Sequence, residues 1–238
     1  MAVRYDLYRA ALDGFVPYLE RLIERTGARR VCDLGGGARP ALSVDQVQRL
    51  GLDYVVLDIS AEELAKTPSE YATVRADVAA PEPPELEPQD LVFSRMLAEH
   101  VAQPERFHTN VRALLRDGGI AFHLFPTLYE LPFLVNRLLP VRTSERFLLR
   151  LDPARRREGR KPKFPAYYRW CRGPHRRQLE RFEQLGYAIE EYVGFFGHDY
   201  LAKVKPVQRL EDRLAKALVR HPVPLFTSYA YAVLRRVP

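Results

Sequence analysis

Asp33 stands two residues before Gly35, Gly36 and Gly37 in the stretch "VCDLGGGARP". Glycines after a short apolar run let the backbone approach a ligand closely, whether a phosphate or a nucleoside. Pro40 occupies the place where a dinucleotide-binding G-x-G-x-x-G turn needs its third glycine, and no Gly-Lys-Ser/Thr follows to make a Walker loop. A carboxylate at Asp33 repels a diphosphate and suits a cationic or amino-bearing ligand. Asp58 follows Gly35 by 23 residues and, with Ile59, ends the run "YVVLDIS". An acid at such a strand end can accept hydrogen bonds from both hydroxyls of a ribose. Asp77 and Val78 end "ATVRADV", where a carboxylate could accept from an adenine amine, and Ser94 ends "DLVFSR". Any one of these aspartates could instead cap a helix, and Ser60-x-x-Glu63 reads as a capping box. Three acids at successive strand ends beside a glycine turn favour binding over capping.

Two histidines could move a proton. His100 lies in "MLAEHV" and His198 in "FFGHDYL", and a neutral imidazole at either place could take a proton from a hydroxyl or an amine. The alternative for His100 is that Glu99-His100 packs the following turn. His123, in the middle of "GIAFHLF", reads as a core or sheet-face residue.

These residues need a scaffold that brings strand ends together. Leu12, Phe15, Leu19, Leu22 and Ile23 recur at helical spacing and predict an amphipathic helix over residues 5–25. Five apolar runs then alternate with helical or turn-rich segments: "RVCDLG", "YVVLDIS", "ATVRADV", "DLVFSRM" and "GIAFHLF". Between the last two, Pro104 opens a helix whose apolar face is Phe107, Val111, Leu114 and Leu115, and Asp117-Gly118-Gly119 is expected to stop it. Such alternation predicts a parallel sheet covered on both faces, with ligands beyond the carboxyl ends of its strands. Residues 127–173 form a long connection, apolar at first and then basic and aromatic. A helix near 175–185, the strand "YAIEEYVGFFG", a helix near 199–219 and a final strand in "TSYAYAVLRR" complete the chain.

The composition is that of an ordinary globular chain: 238 residues, 47% hydrophobic and 28% charged. Its net charge of +7 and pI near 9.5 raise nucleic acid or an anionic membrane surface as partners. The excess is local, since Arg150–Phe164 holds seven Lys/Arg against two acids, and Arg169, Arg172, Arg176 and Arg177 follow. Two cysteines, Cys32 and Cys171, can form neither a disulfide framework nor a zinc cluster and suit a reducing cytoplasm. The longest apolar stretch, "IAFHLFPTLYELPFLV", carries a His, a Glu and two prolines, so no membrane span is expected. The N-terminus lacks the apolar block of a signal peptide.

Residues 31–126 resemble the class I S-adenosylmethionine-dependent methyltransferases. The resemblance rests on "VCDLGGGARP" as a D-x-G-x-G turn, "VVLDIS", "RADV", and "DLVFSRMLAEHV" followed by "LLRDGGIAFHLFP". It implies one Rossmann-like α/β domain over 1–238: a seven-stranded, mostly parallel sheet with an antiparallel C-terminal strand, helices on both faces, and 127–173 as a cap-like insert after the fifth strand. S-adenosylmethionine would be the cofactor. Asp33 and Gly35, Gly36 and Gly37 would frame its methionine, Asp58 and Ile59 its ribose, Asp77 and Val78 its adenine, with Ser94 near the sulfonium and His100 or His198 as base.

The acceptor leaves fewer marks. The fourth strand ends in Ser94-Arg95-Met96-Leu97 rather than the N/D-P-P-aromatic motif of adenine methylation, and no Pro-Cys nucleophile of the cytosine type follows a strand. "MLAEHV" is similar to the E-x-x-E-H-V segment of ubiquinone-pathway O-methyltransferases, but Met96 replaces the first glutamate, so no metal site is assigned. The expected acceptor is a small, sugar-linked or lipid-linked molecule methylated at oxygen, its anionic group facing the arginines and aromatics of the insert. Peripheral membrane contact is compatible with this. The alternatives are RNA methylation through the basic insert and a non-catalytic module that only binds S-adenosylmethionine.

Overall fold

The computed structural model describes residues 1–128, 165–199 and 205–238. Its centre is one eight-stranded sheet: β1 (Ala2–Leu7), β2 (Arg30–Leu34), β3 (Asp53–Asp58), β4 (Ala72–Arg75), β5 (Gln89–Arg95), β6 (Leu115–Pro126), β7 (Tyr187–Phe196) and β8 (Tyr229–Arg236). The spatial order is β1-β7-β8-β6-β5-β2-β3-β4. β8 runs antiparallel to β6 and β7, and every other pairing is parallel. The chain winds outward from β2 through β3 to β4, then returns to lay β5 on the other side of β2. That reversal is the switch point at which a crevice opens above the sheet.

Alternation along β6 puts Phe122 on one face and His123 on the other. Phe15 of α2 (Phe15–Thr26) stacks on Phe122 with ring centroids 5.1 Å apart. On the opposite face His123 meets Phe107 of α5 (Pro104–Leu114), and Phe182 of α6 (Arg176–Gln184) reaches Tyr192. Phe15, Phe107, Phe122 and Phe182 are all fully buried, each such ring contributing about 1.5–3 kcal/mol. The expected helix covering of both faces is therefore present. The other α-helices among the described residues are α1 (Tyr8–Leu12), α3 (Val44–Leu50), the one-turn α4 (Ala61–Leu64) and α7 (Lys205–Arg220).

Three expectations change. The single helix predicted over 5–25 is a strand followed by two helices, and this strand, β1, is the eighth. Tyr5 and Leu7 alternate with Arg4 and Asp6, and β1 pairs with β7 from Ala2↔Glu191 to Leu7↔Phe196. Tyr5 stacks on Phe196, and Arg4 forms an ion pair with Glu191. The helical spacing of Phe15, Leu19, Leu22 and Ile23 belongs to α2 alone. Asp117-Gly118-Gly119 does not separate helix from strand, because α5 passes directly into β6 at Leu115. The segment bulges within that strand, where the register with β5 shifts. Asp77 lies two residues beyond the short β4, in a loop rather than at the strand end. The proposed cap at 127–173 lies mostly outside the described residues.

Candidate cofactor pocket

The turn after β2 is built around a buried carboxylate. Asp33 Oδ2 accepts hydrogen bonds from the Ala41 amide (2.8 Å) and the Tyr54 hydroxyl (2.7 Å). Burial pushes its carboxyl up to about 6, against the pull of those two donors. The chain then crosses directly above this group. A Cβ on Gly36 would stand 2.7 Å from Asp33 Oδ2 and 3.0 Å from Val56, so only glycine fits. Gly36, the glycine that a D-x-G-x-G pattern leaves unspecified, is thus required by packing beneath the turn. At Gly37, φ is +42° and a Cβ would lie 2.9 Å from Asp58 Oδ2, so glycine keeps the space over that carboxylate open. The Gly35 amide donates to the Leu57 carbonyl (2.7 Å), tying the turn to β3.

A cavity of about 470 Å³ lies above this turn at the switch point. Gly35, Asp58, Ile59, Asp77, Val78 and His100 share its wall, as the sequence suggested. Asp58 Oδ1 accepts from the Ser60 amide (2.8 Å), and Asp77 Oδ1 accepts from the Ala79 amide (2.8 Å). Each acid is thereby oriented by its own loop while its second oxygen takes no hydrogen bond from the described residues. Ser60 also caps α4 by accepting from the Glu63 amide, so this aspartate pair and the capping reading coexist.

The remaining expected residues fall elsewhere. Asp33, Gly36 and Gly37 are not in the described wall and instead shape the turn beneath it. Ser94 is fully buried, its Oγ 2.8 Å from His123 Nδ1, and points into the sheet face rather than the cavity. His123 is held neutral, with burial pushing its imidazole down to about 3. His198 is buried just beyond β7, and its backbone N–H donates to Glu211 of α7. β7 is three strands from β5 in the sheet, about 14 Å away, and His198 does not reach the described wall.

The far wall was not foreseen. At the end of β5 Met96 adopts φ +56°, a left-handed turn that carries Leu97–Val101 across the cavity. Glu99 then accepts, through its carbonyl, the amides of Tyr167 (2.7 Å) and Tyr168 (3.0 Å), which brings the Tyr167 ring to the wall. His100 Nδ1 is 3.0 Å from the Pro165 carbonyl. A carbonyl can only accept, so Nδ1 carries a proton in that contact, while Nε2 lies 3.7 Å from Glu99 Oε1. Glu99 is buried with Oε2 unpartnered, and desolvation pushes its carboxyl up to about 8. Asn110 of α5 donates to the carbonyls of Val78 (3.0 Å) and Ala80 (2.9 Å), pinning the loop that carries Asp77. The sequence signal for it is faint: one polar residue on the apolar face of an otherwise regular helix.

A methyltransferase domain model matches residues 5–192, most of the chain. This chain belongs to the methyltransferase domain family. It is a class I enzyme of that family, with S-adenosylmethionine as the methyl donor. The cavity fits this donor: glycine leaves room over Asp58, two carboxylates oriented by their own loops line it, and the volume falls in the range of small-ligand sites. Solved structures share the fold of this methyltransferase. An S-adenosylmethionine-dependent methyltransferase from Mesorhizobium loti is 19% identical, covers 92% of this chain and 96% of its own, and gives a TM-score of 0.55. A magnesium protoporphyrin IX methyltransferase from Synechocystis with bound SAH is 13% identical over 96% of this chain and 84% of its own, with a TM-score of 0.55. An S-adenosylmethionine-dependent methyltransferase from Clostridium acetobutylicum is 9% identical over 97% and 96%, again at 0.55. No curated protein sequence matches the chain. Among the described residues no cluster of three or more His, Cys, Asp or Glu could hold a metal, and no helix is long and apolar enough to cross a membrane.

Proposed function

We propose that this methyltransferase acts on an oxygen of a small, sugar-linked or lipid-linked acceptor, with His100 as the base. The observation that carries the reading is the His100 ring, which lines the cofactor cavity with Nδ1–H committed to the Pro165 carbonyl. In this reading its Nε2, 3.7 Å from Glu99 Oε1, is the nitrogen that accepts the proton. The bound donor supplies a methyl group activated on a sulfonium. His100 would take the hydroxyl proton of the acceptor as its oxygen receives the methyl group. Asp58 and Asp77 hold the nucleoside, and Gly35 sets the backbone close to it. Positioning and exclusion of water are the rest of the protein's work.

Residues 127–173 serve as the cap over the acceptor in this reading. Supporting it, the two described ends of that stretch meet beside the cavity, where the Leu128 amide donates to the Cys171 carbonyl (3.0 Å). Both cysteines are buried and unpaired, which suits the cytoplasm. The test is calorimetry with S-adenosylmethionine, followed by methyl transfer to a panel of hydroxyl, amine and carboxylate acceptors. Saturable binding with transfer to hydroxyls is expected. Transfer to amines alone overturns the oxygen assignment, and binding without transfer to any class would leave a module that only binds.

A further inference from the structure

Beside the cofactor cavity, and sharing Ala102 and Gln103 with it, lies a second cleft of about 710 Å³. Its floor is the first turn of α5, and its walls carry Arg106, Arg169, Arg172 and Arg181 around Trp170. Glu105 is the one described carboxylate on the lining. Arg106, Arg169 and Arg181 form no ion pair with a carboxylate among the described residues. Neutral groups also hold the guanidiniums in place. Arg169 donates to the Ala102 carbonyl (2.7 Å), Arg172 to the Tyr168 carbonyl (2.7 Å), and Arg181 lies 5.3 Å from the Trp170 ring centre. Arg106, Arg169 and Arg181 bring like charge to one cleft and repel one another, and an anion relieves that repulsion.

The backbone is also held out of its ordinary range here. Met96, Tyr168 and Trp170 are the non-glycine residues with positive φ among the described residues, at +56°, +50° and +60°. Trp170 lines this cleft and Met96 the adjoining cavity, with Tyr168 between the two walls in the chain. Left-handed backbone at such residues is strained and persists where the surroundings impose it, commonly at ligand sites. Trp170 is fixed in turn by stacking on buried His108, with centroids 6.0 Å apart. The α5 N-terminus adds to the same potential, since Gln103 provides no side-chain cap.

We propose that this cleft binds a phosphoryl group of the methyl acceptor, so that the enzyme's substrate is a phosphorylated small molecule. Planar guanidiniums match phosphate oxygens in pairs, and several of them compensate a dianion better than a single-charge carboxylate. The acceptor role rests on the methyltransferase reading above, whereas the anion site itself stands on the cleft alone.

Trp170 is the single tryptophan of the chain, so its fluorescence reports directly on this cleft. The full-length protein is titrated with inorganic pyrophosphate at low ionic strength, with calorimetry in parallel. A saturable fluorescence change is expected, weakened about tenfold in Arg106→Gln and again in Arg181→Gln. SAH affinity, measured on the same variants, is expected to stay near that of the wild type, which shows that they fold. Absence of saturable binding overturns the proposal, as does equal binding in both variants. Tighter saturation by acetate or succinate than by pyrophosphate overturns the phosphoryl assignment. Affinity that grows with the length of single-stranded RNA, with pyrophosphate failing to compete, overturns it in favour of a nucleic-acid surface. If pyrophosphate binds as expected but S-adenosylmethionine does not, the methyltransferase reading fails and the anion site remains.

Discussion

Gly36 passes over the Asp33 carboxylate so closely that a single added carbon would stand 2.7 Å from its Oδ2. The contact joins the base of the turn to its crest. Asp33 gathers the Ala41 amide and the Tyr54 hydroxyl under the loop, and the loop's path is what opens the cavity above. Gly36→Ala must displace a buried carboxylate and Val56 together, neither of them a flexible surface group. We expect a loss of about 1–3 kcal/mol of stability, read as a lower Tm, and weaker binding of SAH by calorimetry. Wild-type values in both measurements would show that the turn has slack the packing does not reveal.

Asp58 lines the cavity and is oriented by the Ser60 amide, so its removal should act on binding rather than folding. Asp58→Ala is expected to weaken S-adenosylmethionine about tenfold to a hundredfold, the worth of hydrogen bonds to a charged acceptor. Asp77→Ala should cost less, since Asn110 still pins the surrounding loop from Val78 to Ala80. An affinity unchanged in Asp58→Ala would remove that residue from the site.

The two histidines should separate in activity. His100→Ala is expected to slow methyl transfer about a hundredfold or more while leaving SAH affinity close to that of the wild type. His198→Ala should leave transfer intact, because the residue lies three strands away beside α7. Comparable rate losses in both variants, with a responsive acceptor, would contradict the assignment of His100.

Glu99 predicts a pH dependence of stability. Burial raises its carboxyl from 4.5 to about 8 in the folded chain. Between those values the folded protein keeps a proton that the unfolded chain has lost, so this contribution is complete at low pH, falls as pH rises and is gone above about 8. Each pKa unit corresponds to about 1.4 kcal/mol, which makes the effect readable in thermal melts. Glu99→Gln carries no such charge and should exceed the wild-type Tm at alkaline pH while differing little in mild acid. Parallel Tm–pH curves for the two proteins would show that Glu99 ionises freely in the fold.

Much of the scaffold was legible because its signals are local. The runs that form β2, β3, β5 and β6 are short and apolar, the face of α5 repeats at helical spacing, and Gly35, Asp58 and Asp77 fall at or just past their ends. β1 was read as helix because its alternation spans few residues and gains meaning only against β7, far along the chain.

The sequence by itself determined the family, the parallel sheet and the side of the cavity that carries Gly35, Asp58 and Asp77, since these follow from periodicity and from residue types at short spacing. Only the tertiary structure decided where distant segments meet. It sent Ser94 to His123 instead of the cavity, brought Tyr167 to the cofactor wall through Glu99, and set Asn110 under the Asp77 loop. It also made Gly36 obligatory, because the carboxylate that excludes a Cβ there is turned upward by Ala41 and Tyr54. Spacing records which residues can reach a strand end. The packing of side chains from separate elements decides which of them face the ligand.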